Sequence, residues 1–265
     1  MTVRKGVTLY PEKLPPYMPV LNKYRNGPIA CRVLYWIALK GFSTRNDIVL
    51  AIGLDISTQE ARKNSRRRIA RACEILEKKE NFIEQTAVEL WKNKKFYLIR
   101  LTPAGKKYCK ESYGWKLRSS DWDELIKRHN GKQNEKHSAA VLSFTYHARL
   151  RGWKAEVMPY DLDMLSLPDV MISKGNENLF VEIETQGNRA KNKLRKWQKQ
   201  EGIQGRPVVC MRTAQAARNV ADSFHEMGFM EFDVTSIEYL QKTAYDDQDN
   251  CLWQITTEDR SYGTR

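Results

Sequence analysis

Glu182 and Glu184 alternate with Val181 and Ile183 in the run LFVEIET, residues 179–185. Such alternation predicts a strand on which the two glutamates share one face, about 6.6–6.8 Å apart, while Leu179, Val181 and Ile183 share the other. Asp169 follows Pro168 and opens an earlier strand-like run, residues 169–173 (DVMIS), and residues 175–178 (GNEN) supply turn chemistry between the two. A hairpin at that turn sets Asp169 beside Glu182, so that three carboxylates converge. Carboxylates so gathered repel one another unless cations lie among them, and hard oxygen donors suit Mg²⁺ or Mn²⁺. Directly behind them, Arg189, Lys191, Lys193, Arg195, Lys196 and Lys199 place six basic residues in the twelve from 188 to 199. A metal held by carboxylates polarises a phosphate and acidifies water, and neighbouring cations hold a nucleic-acid backbone. The chemistry expected is phosphodiester hydrolysis.

Charge places the rest of the machinery. Of the 265 residues, 1–134 carry 28 Lys and Arg against 13 Asp and Glu, whereas 135–265 carry 17 against 19. The whole net charge of +13 therefore belongs to the first half, and a surplus so concentrated favours a polyanion, most simply double-stranded DNA. Five scattered cysteines, 31, 73, 109, 210 and 251, have neither CxxC spacing nor a histidine pair beside them. They argue against a disulfide framework or a zinc site and for reduced thiols in the cytoplasm. The longest apolar run, residues 33–39 (VLYWIAL), is too short to span a bilayer, so no membrane is expected, and the N-terminus does not read as a signal peptide.

In the first half, apolar residues recur at helical spacing over 28–39 and stop at Gly41. Residues 43–54 form a second short helix that opens on Ser43 and closes on Gly53. Ser57-Thr58-Gln59-Glu60 matches a capping box, and Ile69, Cys73 and Leu76 mark the buried face of a third helix reaching about Lys79. That helix carries Arg62, Lys63, Arg66, Arg67, Arg68 and Arg71 ahead of its apolar end, the composition of a DNA recognition helix. Residues 82–91 and 96–101 are strand-like and are joined by a basic turn with Lys92, Lys94 and Lys95, suited to DNA backbone. Residues 101–107 (LTPAGKK) resemble the LTxxG(K/R) segment that follows the wing in many bacterial and archaeal winged-helix DNA-binding domains. Residues 1–110 are read as a winged helix-turn-helix domain, 111–134 as a connector with a short helix from Asp121 to His129, and 135–265 as a second domain.

The second domain alternates: helix 136–151, strand 154–158, strand 169–173, strand 179–185, helix 188–200, strand 207–212, helix 213–227 and strand 229–234. That order, αβββαβαβ, predicts an α/β domain with a mixed sheet covered by helices, in a chain that is α+β overall. Asp161 and Asp163 read as turn residues and residues 245–250 (YDDQDN) as an exposed loop. The tryptophans show no period and read as core. His129, His137, His147 and His225 lack metal-ligand spacing and read as structural residues or phosphate contacts.

Pro168-Asp169, a short hairpin and Glu182-x-Glu184 resemble the PD-(D/E)xK nuclease superfamily, whose core is also αβββαβ. Lysine usually fills the last position of that motif, where this chain has Glu184. The resemblance implies Asp169, Glu182 and Glu184 as metal ligands and catalytic groups. Either Glu184 orients the water or binds a second metal, or Lys191 or Lys193 has taken the place of the missing lysine. The order of the whole chain, over about residues 26–212, resembles the replication-relaxation family of plasmid and mobile-element proteins, which implies a Mg²⁺-dependent endonuclease acting on such DNA. One active site cuts one strand, so a double-strand break would ask for a homodimer or two events. The alternative is a non-catalytic DNA-binding regulator or replication accessory protein whose nuclease-like domain has lost its chemistry.

Overall fold

The computed structural model describes residues 18–91, 94–128, 134–157, 168–185, 190–244 and 251–257, and the side chains of all but 91, 94 and 190–195 among them. The chain divides into two compact units, at Lys127 and Arg128. Among the described residues no helix is long and apolar enough to cross a membrane.

The first unit is built of helices α1 (Pro19–Asn22), α2 (Gly27–Lys40), α3 (Arg45–Ile52) and α4 (Gln59–Glu74), then strands β1 (Ile83–Trp91) and β2 (Lys94–Leu101), then α5 (Pro103–Tyr113). Helix α6 (Asp121–Arg128) follows. Gly41 and Gly53 close α2 and α3 with φ of 70° and 69°, left-handed conformations that a Cβ would strain. Both helix starts lie one residue later than the sequence reading placed them. Thr44, not Ser43, accepts from Asp47 N, and Thr58, not Ser57, accepts from Ala61 N. Adjacent hydroxyl residues are equivalent on paper, and the choice falls to whichever backbone is extended with its oxygen over the third amide. Helix α4 runs into a π turn, Ile75–Lys79, and Ile69, Cys73 and Leu76 are buried as expected. β1 and β2 pair antiparallel from Ile83 opposite Leu101 to Trp91 opposite Lys94, with an irregularity after Glu89.

Much of the stretch read as a connector is packed into this unit. Trp115 and Leu117 lie against its core, and Arg118 N and Asp121 N donate to Ala38 O and Gly41 O at 2.9 Å each. Trp122 and Leu125 of α6 are fully buried. A segment without apolar periodicity can be held by its backbone amides, which leave no trace in a hydropathy pattern.

The second unit contains α7 (Glu135–Leu150), β3 (Lys154–Val157), β4 (Val170–Lys174), β5 (Glu177–Glu184), α8 (Ala190–Gln204), β6 (Val208–Met211), α9 (Ala214–Glu226), β7 (Asp233–Ser236), α10 (Ile237–Lys242) and β8 (Ile255–Thr256). The strands form one mixed sheet in the order β3-β4-β5-β6-β7-β8. β3, β4 and β5 run antiparallel, β5, β6 and β7 parallel, and β8 antiparallel on the edge. The α/β class and the mixed sheet are as expected.

The run expected as a strand over 229–234 is displaced. Phe229 N donates to Phe224 O and Gly228 N to His225 O, so the first apolar residues of that run finish α9, and the strand begins only at Asp233. Phe229 and Phe232 are apolar because they fill the core beside Trp197, Phe224 and Val234. Residues 92–93, 129–133, 158–167, 186–189 and 245–250, including the expected basic turn, the Asp161–Asp163 pair and the YDDQDN loop, lie outside the described residues.

Candidate functional site

Strand register builds the acidic site of the second unit. Lys174 pairs with Glu177 across a two-residue turn in which Gly175 has φ of 60°, and the pairing runs to Val170 opposite Val181. One step further, Asp169 N donates to Val181 O at 3.1 Å, which sets Asp169 beside Glu182 as the sequence predicted. On the other side of β5, the parallel register puts Glu182 next to Val209 and Glu184 next to Met211. Val209 and Met211 belong to the core cluster with Trp197 of α8 and Phe224 of α9, so both glutamates face the layer made by those helices.

Each carboxylate has a different environment. Asp169 is 6% exposed. Its Oδ1 accepts from Arg128 Nη1 at 2.9 Å and lies 3.3 Å from His137 Nε2, and its Oδ2 accepts from Ile183 N at 2.9 Å. Burial works against its ionisation, but the hydrogen bond and charge of His137, with Lys196 and Arg128 nearby, hold its carboxyl well below the usual range. Glu182 is 2% exposed and forms an ion pair through Oε2 with Lys196 Nζ. Burial and the adjacent Asp169 charge push its carboxyl up to about 7, against the pull of Lys196 and Arg128. Glu184, 8% exposed, stands one strand repeat along and lines a cavity of about 300 Å³ at the ends of β5 and β6.

Thus the structure brings Asp169 and Glu182 together and leaves Glu184 apart. Among the described residues, no three His, Cys, Asp or Glu side chains are grouped so as to hold a metal. The expected convergence of three carboxylates is therefore not found as a group of three: Asp169 and Glu182 stand side by side, and Glu184 follows one strand repeat along the same face. A pair still fits Mg²⁺, which commonly takes one or two carboxylates and fills its remaining positions with water and substrate phosphate. Glu182 supports that fit: it is a buried carboxylate whose ionisation is disfavoured first by burial and then by the adjacent Asp169 charge.

Lys196 was read from the sequence as a DNA contact, yet it is the lysine that meets Glu182. Its position follows from two glutamines on α8. Gln200 Oε1 accepts from Val208 N at 3.0 Å while its Nε2 donates to Phe180 O and Val208 O, and Gln204 Oε1 accepts from Phe180 N at 2.7 Å. With buried Trp197, they clip α8 to β5 and β6 and turn Lys196, one helical turn before Gln200, onto the same strand. A readable signal existed: Trp197, Gln200 and Gln204 recur three and four residues apart, the spacing of one helix face. Lys191, Lys193 and Arg195 have side chains outside the described set, and Arg189 lies outside it altogether. His137 occupies the first turn of α7, where Asn134 Oδ1 caps its amide at 3.3 Å. Arg128 is 41 residues from Asp169, and nothing in the sequence couples the two.

The first unit offers a different surface. Ser65, Ile69, Ala72 and Cys73 bury one side of α4, and Lys63, Arg66, Arg67, Arg68 and Arg71 are exposed on the remainder. Arg62 is half-buried, and its Nη1 donates to Ile56 O at 3.2 Å, so this member of the basic set also fastens the chain ahead of the helix. Ser65 Oγ, donating to Asp55 O at 2.7 Å, fastens the same turn. The strands are tied to the helices by Gln85, which donates to Glu77 from its amide N at 3.0 Å and from Nε2 at 2.8 Å, and accepts from Arg45 Nε at 2.8 Å. Lys95 is exposed on β2; Lys92 is outside the described residues and Lys94 outside the described side chains. No protein-family model matches the chain, and comparisons with curated proteins and with solved structures found no match either.

Proposed function

We propose that the chain is a DNA-processing protein whose first unit, a winged helix-turn-helix, binds duplex DNA and whose second, a PD-(D/E)xK-like αβββαβ domain, hydrolyses phosphodiester bonds with Mg²⁺. The observation that carries this reading is the buried Asp169–Glu182 pair with Lys196 on Glu182. Asp169 and Glu182 would hold the cation, which when bound supplies Lewis-acid polarisation of a phosphoryl oxygen and acidifies water.

The remaining work falls to the chain's own groups. Lys196, 38% exposed, reaches from the acidic pair toward solvent and neutralises charge where a phosphate approaches. Lys196 then fills the role that the sequence reading left between Glu184, Lys191 and Lys193. Arg128, His137 and the Ile183 amide fix both oxygens of Asp169 and keep it ionised. The exposed arginines of α4 supply phosphate and base contacts, whose order ahead of the β1–β2 hairpin supports the winged-helix reading. Plasmid or mobile-element DNA is the substrate that the replication-relaxation resemblance implies.

The test is nicking or linearisation of supercoiled plasmid in Mg²⁺ or Mn²⁺ by the wild-type chain, Glu182→Gln and Lys196→Ala. Wild type is expected to cut, with both variants slower by about a hundredfold or more, the scale of a lost electrostatic contact in a transition state. Circular dichroism of Glu182→Gln separates lost chemistry from lost fold. A plasmid equally intact with all three proteins sinks the nuclease reading.

A second reading, a DNA-binding protein without catalysis, draws on one observation. The acidic pair is already answered from within, Asp169 by Arg128 and His137 and Glu182 by Lys196, as in a structural ion cluster.

A further inference from the structure

Helix α4 carries one side chain that its basic character does not explain. From residue 63 to residue 68 its exposed positions are Lys63, Asn64, Arg66, Arg67 and Arg68, so that a neutral amide stands among cations. Asn64 lies well inside the helix, beyond the cap at Thr58, where Asn is a poorer helix former than Lys, Arg or Ala. It is exposed, so no core holds it, and among the described residues it joins no hydrogen bond or ion pair. Nor does it attract a polyanion, as a further cation at that position would.

Helix geometry turns Asn64 outward on a rigid support. Ser65, Ile69, Ala72 and Cys73 mark the buried side of α4, and at about 100° per residue Arg67 falls opposite their mean direction. Lys63 and Asn64 flank Arg67 by about 40° and 60° on either side, and Arg68 stands about 100° round from it. A helix lying in a major groove with this face inward presents Asn64 to base edges and Arg68 to a phosphate wall. The turn ahead of the helix is closed by Asp55 Oδ1, which accepts from Ser57 N at 2.9 Å and from Ser57 Oγ at 2.7 Å. Ser65 Oγ, next to Asn64, donates back to Asp55 O at 2.7 Å, and Arg62 Nη1 donates to Ile56 O at 3.2 Å. Turn and helix start are thus one hydrogen-bonded unit, and a base contact made from it needs no further ordering of the backbone.

An amide has one matched partner among the bases. Its planar group offers a donor beside an acceptor, and adenine alone shows the complementary pair, N6–H and N7, on its major-groove edge. Guanine shows two acceptors there, which suit arginine instead. We propose that Asn64 reads an adenine in the major groove of duplex DNA, so that α4 selects sequence as well as holding backbone. The proposal rests on the DNA-binding reading of the first unit and deepens it, giving the bound duplex one required A·T pair.

The experiment lets the full chain, in EDTA and at fixed salt, select from a pool of random-sequence duplexes. Affinities are then measured for the selected duplex and for copies in which each adenine in turn is replaced by 7-deazaadenine, which lacks the N7 acceptor. Wild type is expected to lose about tenfold at one adenine, the scale of a bidentate base contact. Asn64→Ala should bind the adenine and 7-deazaadenine duplexes equally, at the level that wild type shows for the analogue. Its thermal unfolding and its slope of log affinity against log salt should match wild type, because asparagine carries no charge. Arg68→Ala, in contrast, should weaken both duplexes alike and keep the tenfold ratio. Duplex binding that enriches no sequence overturns the proposal and leaves the DNA-binding reading standing. A 7-deazaadenine effect that survives Asn64→Ala overturns it as well, since another residue then reads the base. Equal weakening of every duplex by Asn64→Ala does the same, by marking a backbone contact. Failure of the wild type to bind any duplex sinks the DNA-binding reading and this proposal together.

Discussion

The basic face of α4 and the acidic site of the sheet use charge in opposite ways. On α4, cations of one sign stand in solvent, where water and salt screen their repulsion and holding them together costs little. At Asp169 and Glu182 the charges are buried, and each is tolerable only because a residue distant in the chain answers it. The first surface should therefore be nearly independent of folding stability and strongly dependent on salt. The second should be bound up with stability and pH.

Substitutions can press on that contrast. Asp169→Ala leaves Arg128 and His137 facing each other without their counter-charge, and the expected loss is about 3–5 kcal/mol of stability in the second unit, read by urea unfolding. A change under about 1 kcal/mol would mean that the cluster is hydrated and that the contrast is false. Charge reversal of Arg67 and Arg68 to Glu should instead leave stability within about 0.5 kcal/mol while weakening duplex binding by about tenfold or more. The slope of log affinity against log salt should also fall in magnitude by about 2. An unchanged affinity would remove α4 from the interface.

The smallest effect expected is that of pH. Glu182 is a carboxyl with a folded value raised to about 7 over an ordinary value of 4.5. Its contribution to stability is fully present below about pH 4.5 and is lost as pH rises through 7, on the order of 1–2 kcal/mol between pH 5 and 8. Asp169 has a lowered value and contributes in the opposite sense, with loss confined to acid below its ordinary 3.8. Unfolding curves of wild type and Glu182→Gln between pH 5 and 8 separate the two, because only the wild type should lose stability there.

Legibility in the sequence tracked the range of the interaction involved. Gly41 and Gly53 as helix stops, the buried stripe of α4 and the hairpin at Gly175 were readable because each depends on residues within a turn or a short loop. The helix starts were off by one because Ser43 and Thr44, or Ser57 and Thr58, differ only in backbone angle. Phe229 and Phe232 misled because apolar residues that close a helix and then fill a core look like a strand in a short window. In the site, Asp169 beside Glu182 was visible since one hairpin register decides it. The one-repeat spacing of Glu184 from Glu182 was equally readable from strand alternation, whereas the meeting of Lys196 with Glu182 required the docking of α8 onto β5 and β6.

By itself the sequence determined which residues are charged, which elements form, and that Asp169 and Glu182 share a place, since helix period, strand alternation and turn chemistry are local. The tertiary structure decided which cation answers which carboxylate: Arg128 and His137 on Asp169, and Lys196 on Glu182. It also decided that Glu184 faces a cavity of its own. The reason is physical. A carboxylate in a strand accepts any cation that packing delivers, and packing is set by the fit of whole helices onto the sheet, not by the spacing of charges along the chain.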